Sequence, residues 1–217
     1  MVRQDIAGEL TNRFPVLIPG KSDKFVFSAA MYTRLREHIE KVVPLTDEEF
    51  AFISKHFNYR KVKKHQYLIQ EGDTTVYSYF VMTGLLKLSH TDANDKEHVL
   101  HFATEDWWVS DYQSYFHKTK ATMSLDCLED AEVLYISLED DQQLHAALPK
   151  IEHFFLRKSH LSYIASQQRI LSLLSTSAKE RYEQFLRQYP TLLQRVNKTL
   201  IASYLGVSRE TLSRLSS

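Results

Sequence analysis

The chain reads as an α+β protein: an antiparallel β-roll or jelly roll flanked by helices, then a long helix, then a helix-turn-helix. Three observations predict this. Between Tyr59 and Ile136, short apolar and aromatic runs alternate with turns rich in glycine, aspartate and asparagine, the texture of an antiparallel roll. From Ile151 to Ser175 neither proline nor glycine interrupts a helical spacing of apolar residues. From Asn197 to Leu215 two short apolar-faced segments flank Gly206.

Residues 1–30 carry little periodicity and are set apart as an N-terminal extension. Within it, Phe14 to Gly20 is an apolar segment bracketed by prolines, expected as an extended strap. From Met31, Leu35, Ile39, Val42 and Val43 repeat at helical spacing up to Pro44. Thr46 then opens a Thr-Asp-Glu-Glu capping box ahead of Phe50, Phe52, Ile53 and Phe57. Strand runs follow at Tyr59–Ile69, Tyr77–Leu88 with a break at Gly84, His98–Phe102, Ala121–Leu128 and Val133–Ile136. In Ala121–Leu128 the apolar residues Ala121, Met123, Leu125 and Cys127 alternate with polar ones, so one face is buried. These runs define a β-roll unit over 31–148. Segment 149–176 is the long helix, with Phe154, Leu161, Gln168 and Ser175 seven apart and Ile164 and Leu171 between them. Such a helix needs a partner along its length, either a second chain in a coiled coil or its own domain.

Residues 177–217 form the last unit. Ser177 and Glu180 make a second capping box. Asn197 stands at an N-cap position, Gly206 can take the positive φ of a helix C-terminus, and Ser208 can cap a second helix. That helix turns Leu212 and Leu215 inward and Arg209, Glu210, Ser213 and Arg214 outward. Such a pair can seat its second helix in the DNA major groove, where arginine pairs with guanine and glutamate accepts from cytosine. Spacing alone admits an ordinary helical hairpin equally well.

The formal net charge is zero. Its distribution is uneven, because from Ser177 onward seven basic residues face three acidic ones, leaving an acidic body. A basic end is the asymmetry of a chain in which one domain meets phosphates. One cysteine, Cys127, precludes an intramolecular disulfide and a multi-cysteine zinc site, which fits a reducing, cytoplasmic setting. It is expected as a buried thiol. No apolar run reaches the ~20 residues needed to span a bilayer, and no signal peptide is expected, so no membrane partner is anticipated. The ten histidines are scattered, and His98 and His101 fall on opposite strand faces, so no metal site is expected. Glu129–Glu132 and Glu139–Asp141 read as solvated turns. With no phosphate-cradling glycine loop and no nucleophile constellation, the sequence points away from an enzyme.

The order of elements resembles the Crp/Fnr superfamily of bacterial transcription regulators. The likeness is most specific at Leu205-Gly-Val-Ser-Arg-Glu-Thr-Leu-Ser-Arg214, similar to the family's turn and recognition helix. Gln70-Glu-Gly-Asp73 and Tyr79-Phe-Val-Met-Thr-Gly84 resemble its β-roll turns. The pair Trp107-Trp108 is similar to a Bacteroidetes-type branch. The resemblance implies that Arg209, Glu210 and Arg214 contact bases, and that Ser208, Thr211 and Lys198 contact phosphates of double-stranded DNA. It implies a homodimer built on Phe154, Leu161, Ile164, Gln168 and Leu171, with RNA polymerase as a further partner. Two departures qualify it. Family members that bind cyclic AMP use Gly-Glu and Arg-Ser or Arg-Thr pairs. Here Ser110-Asp111 and Ala121-Thr122 stand there, with Lys120 one position early, a degenerate effector pocket. No cofactor is identified and a cyclic nucleotide is not expected. The sequence also runs only three residues past Arg214, so no wing of a winged helix is expected from this stretch. The other reading is a module binding a cyclic nucleotide or other small effector, with vestigial DNA binding, acting through protein contacts.

Overall fold

The computed structural model describes residues 29–74 and 76–215. The N-terminal extension, including the Phe14–Gly20 strap, lies outside the described residues, apart from the first residues of α1. Helix α1 (Ala29–Glu40) turns Leu35 and Ile39 into the core, and the chain then turns through Val42 and Val43. Helix α2 (Asp47–Lys55) begins at the capping box: Glu49 N–H donates to Thr46 Oγ1 at 3.2 Å and Thr46 N–H to Glu49 Oε2 at 2.8 Å.

Among the described residues, eight strands form two antiparallel four-stranded sheets. β1 (Asn58–Val62), β8 (Ala131–Ile136), β3 (Ser78–Thr83) and β6 (Trp108–Val109) make the first, in the order β1-β8-β3-β6. β2 (Tyr67–Ile69), β7 (Ser124–Cys127), β4 (Leu86–Thr91) and β5 (Glu97–Ala103) make the second, in the order β2-β7-β4-β5. Strand alternation gives each sheet two faces. Val62, Tyr79, Val81 and Val133 of the first sheet meet Ile69, Leu86, Leu125 and Cys127 of the second inside the roll. The outer face of the first sheet, with Phe80, Met82, Leu134 and Ile136, packs on α1, α2 and the start of the long helix. Gly84, between β3 and β4, has φ +96°, and a Cβ there would lie 2.6 Å from the Asp130 carbonyl oxygen. Only glycine fits this crossing.

Three helices were not foreseen. α3 (Tyr112–His117) is capped by Asp111, α4 (Leu138–Ala147) is capped by Ser137, and α7 is a single turn over Leu192–Arg195. The Glu139–Asp141 cluster is thus not a solvated turn but the first turn of α4, where carboxylates meet the positive end of the helix dipole. The Ala121–Leu128 run is regular only over β7. Ahead of β7, the Asp111 carboxylate takes the Thr122 and Met123 amides, and Ala121 exchanges hydrogen bonds with Gly72 and Asp73.

Helix α5 (Pro149–Ser175) starts with proline in its first turn, where no N–H is needed. Phe154, expected along a seam between chains, is instead fully buried against His38 and Phe155. The first turns of α5 belong to the body of the roll, which is why the heptad pattern misplaced it. Farther along, Leu161, Ile164 and Leu171 are exposed. The remaining helices are α6 (Ala178–Gln188), α7 (Leu192–Arg195), α8 (Lys198–Leu205) and α9 (Arg209–Leu215). Their core residues Phe185, Leu192, Val196, Ile201, Leu205 and Leu212 pack with Leu85, Val99 and Phe102 on the outer face of the second sheet.

Candidate nucleic-acid interface

The C-terminal pair is built by its caps. Asn197 Oδ1 accepts from Leu200 N–H at 3.0 Å to open α8. Gly206 closes α8 with φ +68°, its N–H reaching Ser203 O, while Val207 N–H reaches Ala202 O. Left-handed backbone is glycine's natural region, and these bonds satisfy the last carbonyls. Ser208 Oγ then accepts from Thr211 N–H at 3.2 Å and starts α9. Leu212 is 1% exposed, which fixes the rotation of α9. Arg209, Glu210, Ser213 and Arg214 consequently lie on the exposed side. The Glu210 carboxyl is held below its ordinary range by its own backbone hydrogen bond and by Ser208, with Arg209 and Arg214 adding favourable charge. The exposed face of α9 therefore carries an ionised acceptor between two guanidinium donors. Lys198 lies at the start of α8, exposed.

The placement of this pair rests on contacts that local sequence patterns do not reveal. Ser203 Oγ donates to Glu97 O at 2.9 Å and accepts from Val99 N–H at 3.0 Å, so α8 pairs with the outer strand β5. Arg169 of α5 donates to Val99 O and Tyr204 O, its guanidinium 3.6 Å from the Tyr204 ring centroid. Arg195 binds Glu129 through Nε and Nη2 at 2.9 and 2.6 Å, and Glu105 through Nη1 and Nη2 at 3.2 and 3.1 Å. Burial raises the Glu105 carboxyl, but bonds from Arg195 and Gly84 N–H more than offset that and hold it low. Arg181 donates to Leu205 O and Thr176 O, tying α6 to the end of α8. Two of the seven basic residues in the C-terminal surplus thus face inward. Arg195 is neutralised by two acids, and Glu129 is a fastening rather than a solvated turn.

Of the five residues expected to form a degenerate effector pocket, Ser110, Asp111 and Thr122 have side chains bonded within the chain. Asp111 is fully buried and accepts from Ser114 N–H and Oγ, Thr122 N–H and Oγ1, and Met123 N–H. Ser110 Oγ donates to Tyr77 O. Ala121 is buried, and Lys120 and Thr122 are exposed. None of the five lines the neighbouring cavity of about 240 Å³, whose wall includes Thr74, Tyr77, Tyr115 and Lys118. Cys127 is buried, and that burial pushes its thiol up to about 12. Among the described residues no group of three or more histidine, cysteine, aspartate or glutamate side chains is placed to hold a metal. His98 bonds Asp92 and His101 packs on Trp107, so the two histidines do not converge. Of the tryptophan pair, Trp108 packs on Phe57, Phe80 and Phe155, whereas Trp107 meets His101 and Tyr189. No described helix is long and apolar enough to cross a membrane.

The segment from β1 through α4 carries a recognisable signature. Residues 59–147 match the cyclic nucleotide-binding domain. The curated Anaerobic regulatory protein of Bacillus subtilis (strain 168) is 29% identical over 117 residues, 52% of this chain. The match spans about half of that relative, 49% of its length. Two solved structures align over most of the chain. A CooA mutant from Carboxydothermus hydrogenoformans is 19% identical with a TM-score of 0.62, covering 75% of each chain. The c-di-GMP responsive global regulator CLP of Xanthomonas campestris is 18% identical with a TM-score of 0.65, covering 78% of this chain and 89% of its own. At these identities the likeness is one of fold. What the chain shares with them is the fold: a cyclic nucleotide-binding domain followed by C-terminal helices.

Proposed function

We propose that this chain is a homodimeric, sequence-specific DNA-binding transcription regulator of the Crp/Fnr type, acting in the cytoplasm with RNA polymerase as a further partner. The observation that carries the reading is the rotation of α9: Leu212 is locked inward while Arg209, Glu210 and Arg214 lie exposed on one short helix. Those three read base edges, and Ser208, Thr211 and Lys198 meet phosphates. Segment 31–148 senses, 149–176 pairs two chains, and 177–217 reads DNA. The exposed apolar residues Leu161, Ile164 and Leu171, with Gln168, support the pairing role. The effector is something other than cyclic AMP, since the buried Asp111 carboxylate is already saturated by the chain's own donors.

Selection of bound duplexes from a random pool tests this. Wild type should return a two-fold symmetric motif, and Arg209→Ala should lose preference at one position per half-site, a cost of ~1–3 kcal/mol. Recovery of the same motif by both proteins refutes the assignment. The match of residues 59–147 to the cyclic nucleotide-binding domain favours a second reading, an effector-binding module that acts through protein contacts. Calorimetric titration with cyclic AMP and cyclic GMP separates the two.

A further inference from the structure

The inner face of the first sheet ends in an unusual group of side chains. Arg60 pairs with Val133 across β1 and β8, and Tyr135 pairs with Tyr79 across β8 and β3. With period-two alternation, Arg60 shares a face with Val62, Val133, Tyr135 and Tyr79, the face turned into the roll. Arg60, Tyr77, Tyr79 and Tyr135 line a cavity of about 210 Å³. Its wall is aromatic: the rings of Tyr77 and Tyr135 lie 5.0 Å apart at 71°, and those of Tyr79 and Tyr135 lie 6.0 Å apart. The Tyr79 hydroxyl donates to Leu68 O.

Apart from Tyr79, the donors around this cavity are unspent. Arg34, Arg36, Arg169, Arg181 and Arg195 each donate to an acceptor within the chain. Arg60 has no hydrogen bond or ion pair among the described residues, and neither the Tyr77 nor the Tyr135 hydroxyl has a hydrogen-bond partner there. The acid whose charge reaches Tyr79 is Asp73, and it already accepts from Gln70 N–H at 2.7 Å. Burial raises the Tyr79 and Tyr135 phenols, and the Arg60 charge partly offsets this at both, which places that charge within reach of the cavity.

We propose that Arg60, Tyr77, Tyr79 and Tyr135 form a binding site for a small organic carboxylate carried on a flat, unsaturated ring. A guanidinium fork matches a carboxylate bidentately, and the two spare phenols are further donors to it. Tyrosine faces stack on a flat ring. The volume equals about seven waters at ~30 Å³ each, below the ~300 Å³ at which sites for drug-sized ligands begin. One six-membered ring with its carboxylate fits that scale, and a nucleotide exceeds it. None of Ser110, Asp111 and the Lys120–Thr122 segment lines this cavity, although Ser110 Oγ donates to Tyr77 O.

Calorimetric titration of the full chain with benzoate tests the site, with benzamide, cyclohexanecarboxylate and inorganic phosphate as comparison probes. Benzoate should saturate one site per chain and bind more tightly than all three. Arg60→Gln should weaken benzoate on the order of tenfold or more while leaving the melting temperature in place. Arg60→Lys, which keeps the charge and loses the fork, should fall between, and it supplies the reading if Arg60→Gln does not fold. Absence of saturation at millimolar benzoate, equal binding of benzamide or phosphate, or an unchanged affinity in both variants overturns the proposal. Duplex selection with the same protein keeps this separate from DNA reading. A chain that selects a motif but ignores benzoate loses only this site.

Discussion

Replacing Arg195 with alanine removes the cation that fastens the C-terminal helices to the roll, and it leaves Glu105 and Glu129 facing each other without a counter-charge. The guanidinium contacts both carboxylates between 2.6 and 3.2 Å and is 24% exposed. Exposed pairs contribute about 0–1 kcal/mol. Removing one partner of a buried pair costs about 3–5 kcal/mol. A quarter-exposed guanidinium shared by two acids falls between, at ~2 kcal/mol. For a chain of this length that corresponds to a drop of roughly 4–8 °C in melting temperature. Urea unfolding gives the free energy, and hydrogen exchange at the Val99 amide reports whether Ser203 still holds β5. A double-mutant cycle with Glu129→Gln isolates the pair. A change within 0.5 kcal/mol, with Val99 protection intact, would refute the fastening role.

Three further outcomes follow from the same structure. His38 is buried beside Phe80 and Phe154 with neither ring nitrogen hydrogen-bonded; burial first, and then the Lys158 charge, lowers its pKa to about 4. An unfolded histidine binds its proton near 6.5, so the unfolded state holds the extra proton between pH 6.5 and 4, and stability falls as pH falls through that window. His38→Phe should flatten the dependence, and a denaturation series showing equal slopes for both proteins would contradict it. Gly84→Ala should cost roughly 2–4 kcal/mol, because φ +96° and the Asp130 carbonyl both oppose a Cβ; circular-dichroism melting checks it. Leu161→Glu combined with Leu171→Glu changes two exposed positions of α5. It should leave the melting of the monomer within ±0.5 kcal/mol per site and convert the dimer to monomer in light scattering. Monomeric wild type at micromolar concentration would remove the basis for pairing.

Local signals in the chain were legible where they act over a few residues. Thr46 with Glu49, and Ser177 with Glu180, close capping boxes through bonds three residues apart, so their helix starts could be read directly. Gly206 and Ser208 set the ends of α8 and α9, and the spacing around Leu212 set the outward side of Arg209, Glu210 and Arg214. Phe154 shows where such reasoning stops. Its heptad position is genuine, but which neighbour fills the heptad depends on whether the helix end abuts Phe155 and His38 or another chain. Helices α3 and α4 leave little trace along the chain because their caps, Asp111 and Ser137, sit among strand-like and acidic stretches with little periodicity.

By itself, then, the sequence determined the α+β class, the two-sheet roll, the long helix and the capped pair at its end. Each follows from side-chain period and backbone preference within a short window. Only the tertiary structure decided what the isolated residues are for. Arg195 meets Glu129 and Glu105 across separations of 66 and 90 residues, and Ser203 reaches β5 across more than 100. Asp111 accepts from amides 11 and 12 residues on. Arg60 comes to share one face with Tyr79 and Tyr135 through strand pairing alone. Pairings at that range depend on how the sheets close and which face each helix covers, so they leave no periodic trace along the chain.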